Sequence, residues 1–353
     1  MKKVIMFLLT LLGLNVTTAC SQGKFENTDV KGFAEKIKDP QVVILDVRTE
    51  KEFQEGHIDG AVLIDVKEPD FVSKAEALLP KDKTIAVYCR SGRRSATAAG
   101  MLGERGYQAV NLKGGIMAWK EAQMPVTTDT YETDRFTTKS GKEVRFYALV
   151  HASIRMVYDG KEFEIDPVKK LGNRTIDYAA MPKADYILVT HEHGDHFDKD
   201  AIGILTGEHT SFITNKRCAD MAGYGQVMVN GDKKQIAEDI TIEAVPAYNY
   251  TPGRERFHPQ GRDNGYILTV DGLRIYIAGD TEDIIEMKLI QDIDIAFLPC
   301  NQPYTMTPVQ LVKAAKMVKP KVLFPYHYGN TDLKGIPEQL AADGIEVRIR
   351  HYE

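Results

Sequence analysis

Three histidines and an aspartate fall within six residues, His191-Glu192-His193-Gly194-Asp195-His196, directly after the apolar run 186–189. Imidazole is the commonest nitrogen ligand of zinc, and a carboxylate can serve a second ion. This spacing on a loop at a strand end therefore points to metal. A lone histidine is more often a satisfied polar residue, but here three of the chain's nine share one loop. A second reactive group is Cys89, which closes the apolar run 84–88 and precedes Arg90-Ser91-Gly92-Arg93-Arg94-Ser95 and an alanine-rich helical stretch. Amide N–H groups at a helix start and nearby guanidiniums favour the thiolate over the thiol. Such a thiolate is a nucleophile, and its ring of donors can hold an anion such as a persulfide or sulfite. Most free cysteines are small buried residues; three arginines in the next five positions argue against that reading.

The Cys89 loop resembles that of a single-domain rhodanese. The resemblance also rests on Asp46-Val47-Arg48, Gly56-His57-Ile58-Asp59-Gly60-Ala61, Gly114-Gly115-Ile116 and Ala118-Trp119, and spans residues 25–128. It implies that Cys89 carries a sulfane sulfur taken from a small donor. Arg90, Ser91, Gly92, Arg93 and Arg94 would cradle that anion, while Asp46 and Arg48 read as an ion pair pinning the loop base. A related phosphatase loop needs arginine six residues after the cysteine, where Ser95 stands. The shorter loop suits a sulfur-sized anion.

The histidine cluster resembles the central His-x-His-x-Asp-His motif of the metallo-β-lactamase superfamily. Gly279-Asp280-Thr281, Pro325-Tyr326-His327 and Ile165-Asp166-Pro167 match further pieces in order. The resemblance implies that His191 and His193 hold one metal ion, that Asp195, His196 and His327 hold another, and that Asp280 bridges them. Asp166 would support the site from behind. One more histidine is expected between His196 and Asp280, where relatives place it after the strand ending Ala247-Tyr248; here that position is Asn249. His258 on the following loop is the reading adopted, and His209 reads as a surface residue. His151, in Val150-His151-Ala152-Ser153, is similar to the branch containing ascorbate-phosphate lactonase, as a pocket or supporting residue or a structural one. Two divalent ions, zinc with manganese or iron as alternatives, would acidify a bridging water, and Asp195 would orient it. The expected reaction is hydrolysis of an ester, lactone, amide or phosphodiester. Arg254, Arg256 and Arg262 would suit an anionic small-molecule substrate. Two other readings stay open: a persulfide dioxygenase with a single iron, and a rhodanese domain that senses or docks without turnover.

Elements must place these groups. Over residues 25–122 strands alternate with helices, which implies a parallel sheet with flanking helices. Residues 129–140 lose apolar periodicity and read as a linker. From 141 to 353 strands dominate with interspersed helices, fitting an αββα sandwich of two sheets with helices outside.

At 353 residues the chain has length for two cores. A net charge of −5 gives no sign of a nucleic-acid partner. Lys2 and Lys3 precede the apolar run 4–14, and small residues end at Cys20. Residues 1–20 therefore read as an export signal of lipoprotein type, despite Thr17 where such signals favour leucine. The expected location is the cell envelope or periplasm, held to membrane only through lipid on Cys20. Three further cysteines make no disulfide framework.

Overall fold

The computed structural model describes residues 25–352 apart from 40, 129, 130 and 173. The export signal and lipid site expected over residues 1–20 lie outside the described residues. No helix among the described residues is long and apolar enough to cross a membrane. Contacts gather the chain into two units, one of residues up to 48 and 64–123, the other of residues 49–63 and from 124 onward. That division departs from the expected 25–128 boundary at residues 49–63 and 124–128.

The reactive cysteine sits on a five-stranded sheet: β1 (Phe25–Thr28), β2 (Val42–Asp46), β3 (Val62–Leu63), β4 (Thr84–Tyr88) and β5 (Gln108–Leu112), in the order β1-β5-β4-β2-β3. The pairings of β1 with β5, β5 with β4 and β4 with β2 are all parallel. Every residue of β4 after Thr84 is buried, because a central parallel strand is covered on both faces and must be apolar throughout. The helix Arg93–Glu104 follows β4 and packs Ala98, Ala99 and Leu102 inward.

From residue 124 onward the second unit carries β6 (Glu132–Thr137), β7 (Glu143–Val150), β8 (Ser153–Tyr158) and β9 (Lys161–Ile165). A small hairpin of β10 (Lys170–Leu171) and β11 (Arg174–Thr175) precedes β12 (Ala184–Val189), β13 (Thr206–Thr214) and β14 (Gln226–Val227). One seven-stranded sheet runs β14-β13-β12-β9-β8-β7-β6. The other runs in chain order through β15 (Lys233–Ala237), β16 (Ile240–Ala247), β17 (Asp263–Val270), β18 (Leu273–Ile277), β19 (Ile295–Pro299), β20 (Val322–Tyr326) and β21 (Glu346–Val347). One buried cluster joins residues of both sheets, among them Phe146, Ile154, Phe163, Leu268, Phe297 and Phe324. A second cluster puts the helices Pro308–Val318 and Ile336–Ala341 against the later sheet through Leu311, Ala315 and Leu340. A third puts the helix Lys199–Leu205 against the earlier one through Ala201, Ile202 and Leu205. This is the αββα sandwich. Capping sets the helix starts: Asp198 accepts from the amides of Asp200 and Ala201, and Thr307 with Gln310 forms a capping box ahead of Pro308.

The expected linker 129–140 is corrected here, because Glu132–Thr137 is strand β6, antiparallel to β7. Its inward positions are filled by Phe136, which packs on the core, and by Asp134, which takes hydrogen bonds from Arg348 and Arg350. A buried acid neutralised by two distant arginines replaces the apolar residue a strand pattern would show.

Candidate metal centre and reactive cysteine

Both sheets deliver side chains to one edge of the sandwich. The loop after β12 carries His191 to His196 and is closed by hydrogen bonds from the amides of His196 and Phe197 to the His193 carbonyl. Asp280 follows β18, His327 follows β20, and His258 stands on the loop between β16 and β17. Three groups emerge whose ligand atoms lie within 4.8 Å of one another: His191 with His193 and His258, His151 with Asp195 and His327, and His191 with His196 and Asp280. All the sequence-expected ligands are thereby brought together. His209 stands apart, exposed on β13.

Asp280 occupies the middle. Its Oδ2 lies 3.2 Å from His327 Nε2 and 3.3 Å from His258 Nε2, and its Oδ1 lies 3.3 Å from His196 Nε2. The Nε2 atoms of His191, His196, His258 and His327, and Oδ1 of Asp280, are buried and make no aligned hydrogen bond among the described residues. A buried polar atom without a partner costs about 1–3 kcal/mol. Several converging on one point fit a cation that each of them faces. Burial, and next to it the His196 imidazole, hold His191 well below the ordinary histidine value, which keeps it a neutral ligand. Burial of Asp280 is outweighed by His327 and His196, so its carboxyl stays well below the usual range and ionised.

A second layer aims these rings. Asp166 is fully buried and accepts from the Thr190 amide at 2.7 Å and the Thr190 hydroxyl at 2.8 Å, and its Oδ2 sits 2.8 Å from His196 Nδ1. Holding Nδ1 in this way turns Nε2 toward the site. His258 is held likewise, its Nδ1 3.1 Å from Asp263, whose carboxylate Arg262 clamps through Nε and Nη2. The loop carrying His258 is fastened at its other end by buried Glu282, which accepts from the amides of Tyr250 and Thr251 and pairs with Arg254. The side-chain nitrogen of Asn249 donates to the Tyr304 carbonyl at 2.7 Å. Arg254 and Arg262 are thus engaged by protein carboxylates, and Arg256, the third cation considered for a substrate, lies over the Phe257 ring. Sequence reasoning missed Asp263 and Glu282. The acid run Asp280-Thr281-Glu282-Asp283 was the one available signal, whereas nothing local marks Asp263 as the partner of a residue five positions earlier.

Cys89 is buried at the end of β4, and the Ser95 hydroxyl lies 3.3 Å from its sulfur. Burial pushes the thiol up, but the Ser95 hydroxyl and the amides of Ser95, Ser91 and Gly92 outweigh it and lower the pKa. Gly92 takes φ 85° at the loop's turn. Gly115 lets the helix Gly115–Glu121 start against the loop, because a Cβ there would stand 2.3 Å from the Cys89 carbonyl oxygen. Arg90 and Arg93 are exposed and Arg94 is half-buried. The Asp46–Arg48 ion pair is present and buried at 2.6 Å, with Arg48 over the Tyr88 ring. Alkylation of Cys89 should therefore follow a pH profile with its midpoint below 9, the ordinary thiol value. Ser95→Ala should move that midpoint upward, since it removes a donor to the thiolate. A midpoint unmoved by the substitution would show the hydroxyl to be idle.

Comparison with known proteins agrees with both halves. A rhodanese-like domain model matches residues 29–122, and a beta-lactamase superfamily domain model matches residues 145–327. UPF0173 metal-dependent hydrolases of Archaeoglobus fulgidus and Thermococcus onnurineus are each 32% identical to this chain. Those alignments take in 47% and 59% of this chain and 78% and 95% of the relatives. A solved structure from Parabacteroides distasonis, named as a metal-dependent hydrolase, is 52% identical with a TM-score of 0.61, over 63% of this chain and all of that one. A metallo hydrolase from Ignicoccus hospitalis is 26% identical with a TM-score of 0.50, covering 62% of this chain and 94% of that one. The chain therefore belongs to the UPF0173 metal-dependent hydrolases of the beta-lactamase superfamily, with a rhodanese-like domain ahead of the hydrolase fold.

Proposed function

We propose that the second unit is a hydrolase using two divalent cations, zinc or its manganese or iron equivalents, on a small ester, lactone or phosphodiester. The observation that carries this reading is the set of buried, unpartnered imidazole nitrogens gathered around Asp280. His191, His193 and His258 would hold one ion, Asp195, His196 and His327 the other, with Asp280 shared. Such ions supply Lewis acidity at the electrophile and lower the pKa of coordinated water toward neutrality. The chain's own residues do the rest. Asp166 and Asp263 fix His196 and His258 in the form that presents Nε2. The Asp195 side chain is 34% exposed, the most open of the carboxylates, and so can accept a hydrogen bond from a water and orient it at the mouth of the site. Burial of Asp195 is outweighed by His151 and His327, which keeps it ionised.

The rhodanese-like domain is proposed to turn over. Cys89 thiolate attacks the sulfane sulfur of thiosulfate or a persulfide; a Cys89 persulfide forms as the donor's S–S bond breaks and sulfite or a thiolate leaves. Export with lipid attachment at Cys20 is part of the same proposal, resting on residues 1–20.

Elemental analysis of the purified protein, with oxygen uptake measured on glutathione persulfide, tests the reading. About two equivalents of zinc or manganese and no uptake are expected. One equivalent of iron with rapid uptake would replace it by persulfide oxidation. Intact mass of the membrane fraction, expected to show lipid on Cys20 and loss of residues 1–19, tests the export proposal.

A further inference from the structure

His151 belongs to no part of the His-x-His-x-Asp-His loop, yet its ring faces the same point. It occupies the two-residue connection between β7 and β8, where Val150 pairs with Ser153. Its φ is +55°, a left-handed conformation that a residue other than glycine rarely adopts. Tight hairpin turns prefer glycine or asparagine at such positions and sit in solvent. Here the residue is a histidine and is buried.

The backbone is tied down on both sides. The His151 amide donates to the Tyr352 carbonyl at 2.8 Å, and the His327 amide donates to the His151 carbonyl at 3.1 Å. The ring lies 3.7 Å from that of His327 between centroids, and its Nε2 stands 3.4 Å from Asp195 Oδ2. The ligand atoms of His151, Asp195 and His327 all lie within 4.8 Å of one another. The strained turn and the matching histidine at φ +48° on His327 hold two imidazoles side by side against one carboxylate.

We propose that His151 is itself a ligand of the cation held by Asp195, His196 and His327. This rests on the metal reading above and extends it. His151, Asp195 and His327 converge as one group, and His196 and Asp280 converge with His191. Asp280, 3.2 Å from His327 and 3.3 Å from His196, joins the two, so an ion taking both sets would have up to five protein donors. Five nitrogen and oxygen donors suit an ion that takes five or six ligands, such as manganese or iron(II), rather than four-coordinate zinc. The position fed by His191, His193 and His258 keeps the three-imidazole set that suits zinc. The two positions therefore differ in the metal they prefer.

The test is titration of the metal-free protein with cobalt(II), read by visible absorption and by competition with a chelator. Cobalt with four ligands absorbs far more strongly than cobalt with five or six. The wild-type protein should take two equivalents, one strongly and one weakly absorbing. His151→Gly accepts the left-handed turn without strain. It should lower affinity for the weakly absorbing equivalent by more than about 100-fold, beyond the 10–100-fold typical of a supporting residue. His151→Gln keeps a hydrogen-bond donor toward Asp195, and is expected not to restore that equivalent. Undiminished affinity in the glycine variant, or recovery with glutamine, would overturn the proposal and leave His151 as a positioning donor. Should the glycine variant fail to fold, the glutamine variant decides alone. A wild-type protein that takes no cobalt would bring down the metal reading itself, a different result from either of these.

Discussion

Replacing Asp280 by alanine is expected to reduce hydrolysis by about a thousandfold or more, since the several kcal/mol that metal ions give a transition state correspond to that factor. Bound metal should fall below two equivalents in the same sample. The reason lies in its place among the rings. Its two oxygens approach His196, His258 and His327 within 3.2–3.3 Å, so a single side chain touches both halves of the cluster. Asp280→Asn keeps the shape and removes the charge, and should behave like alanine if charge is what holds the ions. Elemental analysis beside an esterase or phosphodiesterase assay measures both effects. An alanine variant with full metal and full rate would show that Asp280 is a bystander.

Asp166→Ala should produce the second large effect, this time on stability as well as on metal. Asp166 satisfies three donors that no water can reach: the Thr190 amide, the Thr190 hydroxyl and the His196 Nδ1–H. Orphaning each costs about 1–3 kcal/mol, so the total is about 3 kcal/mol or more. For a unit of this size that corresponds to a fall in melting temperature of about 10 °C. Asp166 also has φ 45°, which asparagine tolerates better than alanine. Asp166→Asn should therefore lose less, keeping one acceptor and an easy backbone. Differential scanning calorimetry of the metal-free variants separates the folding effect from metal loss. An unchanged melting temperature in the alanine variant would mean that the network is not what holds the β9–β12 edge.

These two residues were also readable from sequence, and for a physical reason. The candidate ligands stand where strands end, so each follows a short apolar run: His191 after β12, Asp280 after β18, His327 after β20. The run and the ligand are written together. His258 was harder, because its loop is fixed by Glu282 and Asp263 and not by strand periodicity. Strand β6 was misread as linker since its buried acid, Asp134, makes sense only beside Arg348 and Arg350, more than 200 positions away. Strand β13 has no apolar run at its start for a related reason. Its first half is polar, Thr206-Gly207-Glu208-His209; only Thr206 of it pairs with β12, and the parallel register resumes at Ser211. The sandwich was legible where burial is local. It was obscure where burial depends on partners distant in the chain.

The division of the candidate ligands and their supports between the sheets bears on motion as well as chemistry. His151, Asp166 and the His191–His196 loop come from the sheet containing β12, while His258, Asp280 and His327 come from the sheet containing β18. Whatever fills the cluster acts as a rivet through both layers at that edge. An emptied site leaves imidazoles and the Asp280 carboxylate facing one another across a seam joined by the His327–His151 backbone hydrogen bond and by the core behind it. The rim of the sandwich should then breathe before its centre does, and loading with metal would be an act of folding as much as of activation.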